Sequence, residues 1–267
     1  MRPIPLALIA KTVEVCRAVK DHVYDCIADM ILIGFFFVCR PGEHTAGTDT
    51  CRPFRLADVD LHAAGTLIDP DAPLATLTAA TFATLTFTNQ KNCVPGETIG
   101  VGRSGHATAC AIGPIARRLR YLKSNNADPT MPLCGHLVNG TWMVVTATQV
   151  TKALRAAVSL YGRPYNLTPD QVSARSLRSS GAMAMLCGGV DTARGRLHGR
   201  WKSDVMFRYL SVQHAPLCAD IARRTVNGGN FDTIPGAIDP QAPGAPTLLP
   251  AAATTAAHAA AVAAAMA

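Results

Sequence analysis

An almost wholly apolar run at residues 28–39, ADMILIGFFFVC, limits the possible folds of this chain more than any other segment. A helix that is apolar on nearly every face is expected at the centre of a domain, because no side of it can face water. Its most apolar part, residues 31–39, is far too short to span a bilayer. The run therefore predicts a buried central helix within a longer helical region at residues 7–39.

The central run ends at Arg40-Pro41-Gly42-Glu43. Proline and glycine stop a helix, so Arg40 is expected at the C-terminal end of the buried helix. A cation there could simply complement the negative end of the helix dipole, with Glu43 as a local ion-pair partner. A functional role for Arg40 therefore needs support from elsewhere in the chain.

The composition is that of a basic globular protein. The 267 residues allow one large domain or two small ones, and 49% of them are hydrophobic. The net charge of +7 and the pI near 9.1 favour a polyanionic partner such as nucleic acid or an anionic membrane surface, although a merely basic protein is the simpler interpretation. Nine cysteines without a CxxC pair predict reduced thiols in an intracellular protein, with neither a disulfide framework nor a zinc site. The start of the chain lacks the pattern of a signal peptide.

The remaining patterns predict an α+β fold that is mainly helical, with small antiparallel hairpins. Strands are expected at 54–61 and 83–88, the second leading to a hairpin with Lys91 at its tip, and at the hairpin around Asn139-Gly140. Helices are expected at 113–126, 148–161, 173–187, 191–198, around Tyr209 and at 216–227, with a loop at 161–170. From about residue 231 the chain becomes a Pro- and Ala-rich tail. We therefore expect a domain at 1–230 and a low-complexity segment at 231–267.

The segment 173–210 concentrates basic residues around a possible nucleophile. Arg175 and Arg178 are three positions apart, on the same side of a helix if 173–187 is helical, and Ser203 is a plausible N-cap for the segment that carries Tyr209. Arginine forks bind phosphate oxygens in a bidentate way, and a tyrosine hydroxyl can act as a covalent nucleophile. Together they predict phosphodiester chemistry. Lys202 and Arg208 beside the tyrosine, with Arg117, Arg118 and Arg120 of the basic helix, are candidate DNA-binding residues.

Five motifs in order resemble the catalytic domain of the tyrosine recombinases, the phage-integrase family, most closely the eukaryotic mobile-element versions of the Crypton or DIRS type. They are Arg40-Pro-Gly-Glu43, Thr88-Asn-Gln-Lys91, Ala174-Arg-Ser-Leu-Arg178, Gly199-Arg-Trp-Lys-Ser203 and Arg208-Tyr209. The resemblance covers residues 28 to about 225. It implies the catalytic-domain fold of that family and a site-specific DNA recombinase or integrase.

Roles follow from the resemblance position by position. Arg40 matches the first catalytic arginine and Glu43 the acidic residue three positions later. Lys91 matches the hairpin lysine that protonates the leaving 5′ oxygen, Arg178 the second arginine, and Tyr209 the nucleophile. The covalent 3′-phosphotyrosyl bond would conserve the phosphodiester energy, so neither a cofactor nor a metal is implied. The resemblance implies that the partner is double-stranded DNA, that a tetramer of the protein binds it, and that no membrane is involved. In a eukaryote the location would be the nucleus.

Three departures from the family pattern leave alternatives open. Arg175 stands where the family has a histidine, so a neutral general base is missing and Arg175 would bind phosphate instead. Either Arg200 or Trp201 could occupy the following histidine-or-tryptophan position, since counting from Tyr209 favours Arg200 and the donor chemistry of an indole favours Trp201. The N-terminal core-binding domain of such enzymes is expected to be absent.

Two further functions and one non-functional interpretation compete with the recombinase hypothesis. The missing base and missing clamp domain favour a DNA-binding relative without activity, and a type IB topoisomerase would share the chemistry. In the non-functional interpretation the arginines merely solvate the surface of a helical protein. Convergence of Arg40, Lys91, Arg178 and Tyr209 on one cleft would separate the recombinase hypothesis from that interpretation.

Overall fold

In a computed structural model, which describes residues 1–47, 51–88 and 95–201, the apolar run forms the second half of helix α2 (His22–Phe36). The Asp21 carboxylate caps this helix by accepting a hydrogen bond from the Val23 backbone N–H. Every residue from Cys26 to Phe35 is buried. Residues 37–39 are also fully buried but lie beyond the end of the helix, so the core continues into the turn that leads to Arg40.

Helices surround α2 on several sides. α1 (Leu6–Ala18), α5 (Ile112–Ser124), α6 (Ala147–Tyr161) and α7 (Ser176–Cys187) pack against it. Three short helices, α3 (Pro41–His44), α4 (Leu74–Thr78) and α8 (Thr192–His198), and 3-10 turns at Leu56–Asp58, Arg163–Tyr165 and Pro169–Gln171 complete the helical part. α3 directly follows α2, so the RPGE motif is held at the end of the central helix.

Two small antiparallel sheets accompany the helices. The larger has the order β2-β1-β3-β4, formed by β1 (Val59–Ala63), β2 (Thr66–Leu67), β3 (Phe82–Thr86) and β4 (Thr98–Gly102). The pairing of β3 with β4 extends past both strands, because the Phe87 N–H bonds the Glu97 carbonyl and the Gly96 N–H bonds the Phe87 carbonyl. This hairpin therefore reaches at least to Phe87 on one side and Gly96 on the other.

The smaller sheet is the hairpin of β5 (Gly135–Val138) and β6 (Thr141–Val144). Asn139 and Gly140 both have positive φ, 49° and 77°, as a two-residue turn of this kind requires. The Asn-Gly pair thus fixes the register, in which Val138 faces Thr141. The hairpin predicted from this dipeptide is confirmed.

A buried carboxylate joins three of the helices. Asp29 of α2 is 1% exposed, and its Oδ1 accepts hydrogen bonds from Arg17 of α1 and Arg117 of α5, each with an Nη2–Oδ1 distance of 2.7 Å. A buried charge is tolerated only when it is paired in this way. Arg17 and Arg117 therefore hold the helices together by neutralising the buried Asp29 carboxylate.

The predicted fold class is confirmed: the described chain is mainly helical α+β with small antiparallel sheets. The helical region predicted at 7–39 is present as two helices, α1 and α2, because the chain turns between them with Lys20 at φ 58° and leaves α2 after Phe36. The strand predicted at 54–61 begins only at Val59, since Asp58 accepts hydrogen bonds from both the backbone and the side chain of Arg55 and so closes a 3-10 turn first. The strand predicted at 83–88 runs from Phe82 to Thr86.

Several other sequence predictions can be compared with the described residues. The cysteines at positions 16, 26, 39, 51, 110, 134 and 187 are thiols, and five of them are buried. In the described part of the chain, no helix is both long and apolar enough to cross a membrane. The helices predicted around Tyr209 and at 216–227, and the tail, lie outside the described residues.

Candidate active site

Basic side chains from residues 178–200 gather at the C-terminal end of α2. The carbonyl oxygens of Phe36, Phe37 and Val38 are bonded by His198 Nε2 at 2.8 Å, Arg200 Nη1 at 3.4 Å and Arg178 Nη1 at 2.5 Å. The last carbonyls of a helix have no partner within the helix and form the negative end of its dipole. The end of the central helix is therefore bonded by one imidazole and two guanidinium cations, the farthest of them 163 positions away in sequence.

The Glu43 carboxylate connects two arginines. Its Oε2 accepts hydrogen bonds from the Arg40 backbone N–H at 2.7 Å and from Arg200 Nη2 at 2.8 Å, and its Oε1 accepts one from Arg40 Nη1 at 3.1 Å. Glu43 is fully buried and the Arg200 side chain is 3% exposed, whereas 30% of the Arg40 side chain is exposed. Arg40 is thus the member of this cluster that reaches the surface.

Arg200 is enclosed on a third side by an aromatic ring. Its guanidinium carbon lies 3.9 Å from the centroid of the Phe87 ring, a cation–π contact. Phe87 is fully buried and forms the last described backbone pairing of the β3–β4 hairpin. The hairpin is therefore in direct contact with the arginine cluster.

Arg178 and Trp201 form the other side of the site. Arg178, 3% exposed, donates through Nη2 to the Gly199 carbonyl at 2.6 Å, and its guanidinium lies 4.7 Å from the centre of the Trp201 ring. Trp201 packs with Val38 and Ala182 in a small apolar cluster. Arg178 thus holds the turn after α8 against the turn after α2.

Burial changes the acid–base properties of three neighbouring groups. It lowers the pKa of His44 to about 4 and also lowers the pKa of His198, although in each case a hydrogen bond to a backbone carbonyl opposes the shift. Burial raises the pKa of the Cys39 thiol. The histidines are therefore neutral at pH 7, and Cys39 is a protonated thiol rather than a reactive thiolate.

The structure brings together Arg40, Glu43, Arg178, Arg200 and Trp201. Arg175 is not part of this cluster: it is exposed at the residue before α7, outside the helix on which we expected it to lie beside Arg178. Lys91, Lys202, Arg208 and Tyr209 lie outside the described residues.

The three arginines of the basic helix have different environments. Arg117 donates to the buried Asp29, and Arg118, 2% exposed, donates to the carbonyls of Leu133 and Gly135. Arg120 is exposed. The prediction that all three contact DNA is corrected for Arg118, because a buried guanidinium bonded to backbone carbonyls cannot reach a phosphate.

Three residues of the site region were missed from the sequence: Phe87, His44 and His198. Phe87 precedes the Thr88-Asn-Gln-Lys91 motif, and its alternation with Leu85 and Ala83 indicated only a buried strand position. His44 follows Glu43 directly, and His198 precedes Gly199-Arg200. Their closeness to the motifs was the only available signal.

Comparison with known proteins gives structural likeness without sequence likeness. No protein-family model and no curated protein matches the chain. Three solved structures of the Tn1549 transposon integrase match the chain in fold. One of them is a complex with circular intermediate DNA (14% identity, TM-score 0.43). The others are a tyrosine-to-phenylalanine variant with transposon right end DNA (12%, 0.45) and an arginine-to-lysine variant with circular intermediate DNA (14%, 0.45). The matches cover 84 to 85% of this chain and 64 to 66% of those chains, so this chain corresponds to about two thirds of their length.

Proposed function

We propose that this chain is the catalytic domain of a tyrosine-type site-specific DNA recombinase or integrase from a mobile element, of the Crypton or DIRS type. The observation that carries the proposal is the meeting of motif residues that are far apart in sequence. Arg178 donates to the Val38 carbonyl, which is 140 positions away and two residues before Arg40. Arg200 donates to the Glu43 carboxylate, which is 157 positions away. A surface role for these arginines would not require such convergence, so the solvation interpretation is disfavoured.

The proposed reaction breaks and reforms one phosphodiester bond. The Tyr209 oxygen bonds to phosphorus as the bond from phosphorus to the 5′ oxygen breaks. The phenolic proton passes to bulk water, since no neutral side-chain base stands at the Arg175 position, and Lys91 gives a proton to the leaving 5′ oxygen. Arg40 and Arg178 stabilise the negative charge that grows on the non-bridging oxygens. Reversal of the same steps with a different 5′ hydroxyl gives a recombinant strand.

The proposal also covers the assembly. Double-stranded DNA is the substrate, the working form is a tetramer on DNA, and the location is the nucleus if the source is eukaryotic. Residues 1–230 form the catalytic domain and 231–267 a low-complexity tail.

Covalent trapping tests the proposed reaction. Nicked duplexes release a short 5′-hydroxyl strand after cleavage, which prevents religation, so a pool of them with randomised sequence should give a protein–DNA adduct that survives denaturation. We expect the wild-type protein and Tyr165→Phe, which alters an exposed tyrosine outside the motifs, to form the adduct, and Tyr209→Phe to form none. An adduct with Tyr209→Phe, or none with the wild type despite DNA binding, contradicts the proposal.

A second candidate is a DNA-binding relative without activity. The observations that favour it are Arg175 in place of a neutral base and the ion pair that occupies Arg200. This candidate predicts binding that weakens steeply with salt, because phosphate contacts release counterions, and no adduct at any salt concentration.

A further inference from the structure

The surroundings of Arg200 leave little room for a DNA phosphate. One terminal nitrogen bonds the Glu43 carboxylate, the other bonds the Phe37 carbonyl, and one face of the guanidinium lies on the Phe87 ring. Only 3% of the side chain is exposed. Arg200, one of the two candidates for the histidine-or-tryptophan position, is therefore enclosed by protein on at least three sides.

Glu43 passes the effect of Arg200 on to Arg40. The same carboxylate oxygen, Oε2, accepts hydrogen bonds from Arg200 and from the Arg40 backbone, while Oε1 accepts one from the Arg40 guanidinium. A carboxylate held from both ends by charged donors has a single preferred orientation. The orientation of the partly exposed Arg40 side chain is thus coupled to that of the buried Arg200 side chain.

The backbone at Arg200 supports a specialised role. Its φ is 56°, in the left-handed region that costs energy for a residue with a Cβ atom. Such conformations persist where the surrounding structure enforces them, and they concentrate at functional sites. Backbone hydrogen bonds that close the end of α8 accompany this conformation, from the Arg200 N–H to the Leu197 carbonyl and from the Trp201 N–H to the Arg196 carbonyl, both at 3.0 Å. The contacts with Glu43, Phe37 and Phe87 then fix the side chain.

We infer that Arg200 is a positioning residue, which orients Arg40 through the shared Glu43 carboxylate and does not itself touch the DNA. The inference rests on the proposed function. It differs from the role that the family resemblance implies for the histidine-or-tryptophan position, which contacts the phosphate and for which Arg200 and Trp201 are the two candidates. Phe87 supports the same arrangement by fixing the plane of the Arg200 guanidinium.

A double-mutant cycle on the rate of adduct formation tests the inference. Arg200→Lys keeps the positive charge but removes the guanidinium group that bonds both the Glu43 carboxylate and the Phe37 carbonyl. Arg40→Lys removes the guanidinium group that Glu43 orients. With saturating nicked DNA, we expect Arg200→Lys to slow the single-turnover rate constant at least about tenfold in the wild type and less than about threefold when Arg40 is already lysine. Arg155→Lys, an exposed arginine of α6 that donates to the Val172 carbonyl, is the matched control and should keep the wild-type rate.

The measurement separates positioning from loss of folding. A partly unfolded variant lowers the amplitude of adduct formation, whereas a mispositioned arginine lowers the rate constant of the folded fraction. Phe87→Leu provides a second route, since it removes the ring under Arg200 without changing any charge. It should slow the reaction in the wild type and much less in the Arg40→Lys background, while Phe54→Leu, an equally buried phenylalanine in edge contact with Phe87, should leave the rate constant unchanged.

Each outcome decides a different question. Equal slowing by Arg200→Lys in both backgrounds would mean an independent phosphate contact and would overturn the inference, as would no slowing in the wild type. A wild-type protein that forms no adduct contradicts the proposed function itself, and the inference falls with it.

Discussion

The buried histidine behind Arg40 is held in its neutral form by its surroundings. His44 is 2% exposed; its Nδ1 lies 3.0 Å from the Arg40 carbonyl, and Nε2 has no hydrogen-bond partner among the described residues. A Cβ atom on Gly34 would lie 2.8 Å from that Nε2, so the ring packs directly on α2. Protonation would place a charge and an unpaired N–H inside the core.

This arrangement predicts that low pH destabilises the protein through His44. The folded pKa of about 4 is below the ordinary value of 6.5, so the stabilising contribution is complete above pH 6.5 and is lost as the pH falls towards 4. The free energy of unfolding should drop over this window by on the order of 3 kcal/mol from this group. Urea unfolding of the wild type and His44→Gln at several pH values measures the difference.

Two comparisons make the pH prediction specific to His44. His106→Gln, at an exposed histidine, is the control for replacing an imidazole by an amide. His136 and His198, whose pKa values burial also lowers, contribute equally to the wild type and to His44→Gln and cancel in the difference. If His44→Gln loses stability with falling pH as steeply as the wild type, His44 is not the titrating group.

The contact between α7 and α2 depends on a glycine. A Cβ atom at Gly181 would overlap the Phe35 carbonyl oxygen and lie 3.3 Å from Val38. Because the obstacle is helix backbone, it cannot rotate away as a side chain could. α7 carries Arg178, so the close approach of the two helices also places this arginine at the end of α2.

Gly181→Ala should therefore destabilise the protein although alanine favours helices. The gain from helix propensity is about 1 kcal/mol, and we expect the overlap to exceed it, with a net loss of about 2 kcal/mol in the free energy of unfolding. Gly113→Ala is the comparison in α5: its Cβ would lie 3.1 Å from Arg117 Nη1, a side-chain atom that needs to shift by only a few tenths of an ångström, so it should cost less stability than Gly181→Ala. Urea unfolding curves for both variants decide, and a stabilised Gly181→Ala would contradict the close packing.

The elements that could be predicted from sequence are those determined by local signals. The Asn139-Gly140 turn and the amphipathic α6 are specified by their own residues, and both form as expected. α4 and β2 were not predicted, because their short segments carry no periodic pattern and are stabilised by neighbouring elements. The late start of β1 similarly depends on side-chain bonds between Arg55 and Asp58.

The charge of the whole molecule hides a division between structural and surface cations. The sequence shows a net charge of +7 but not that Arg118, Arg178 and Arg200 are buried on backbone carbonyls or carboxylates. Within the candidate site, the order of the motifs could be read from the chain, whereas the link from Arg200 through Glu43 to Arg40 could not. Burial of a charge is decided by tertiary contacts, which leave no mark on the local sequence.

This division predicts different effects of two neighbouring arginines on DNA binding. Each phosphate contact adds about 0.9 to the slope of log K against log salt, so Arg120→Gln should reduce the slope by about that amount if the exposed Arg120 contacts DNA. Arg118→Gln should leave the salt slope unchanged. It should instead lower the urea midpoint of unfolding, because the buried carbonyls of Leu133 and Gly135 lose their hydrogen-bond donor. Titrations of labelled duplex at several salt concentrations, with urea unfolding of each variant, measure both effects. A reduced slope in folded Arg118→Gln would mean that this guanidinium reaches DNA, and an unchanged slope in Arg120→Gln would place the DNA-binding surface away from α5.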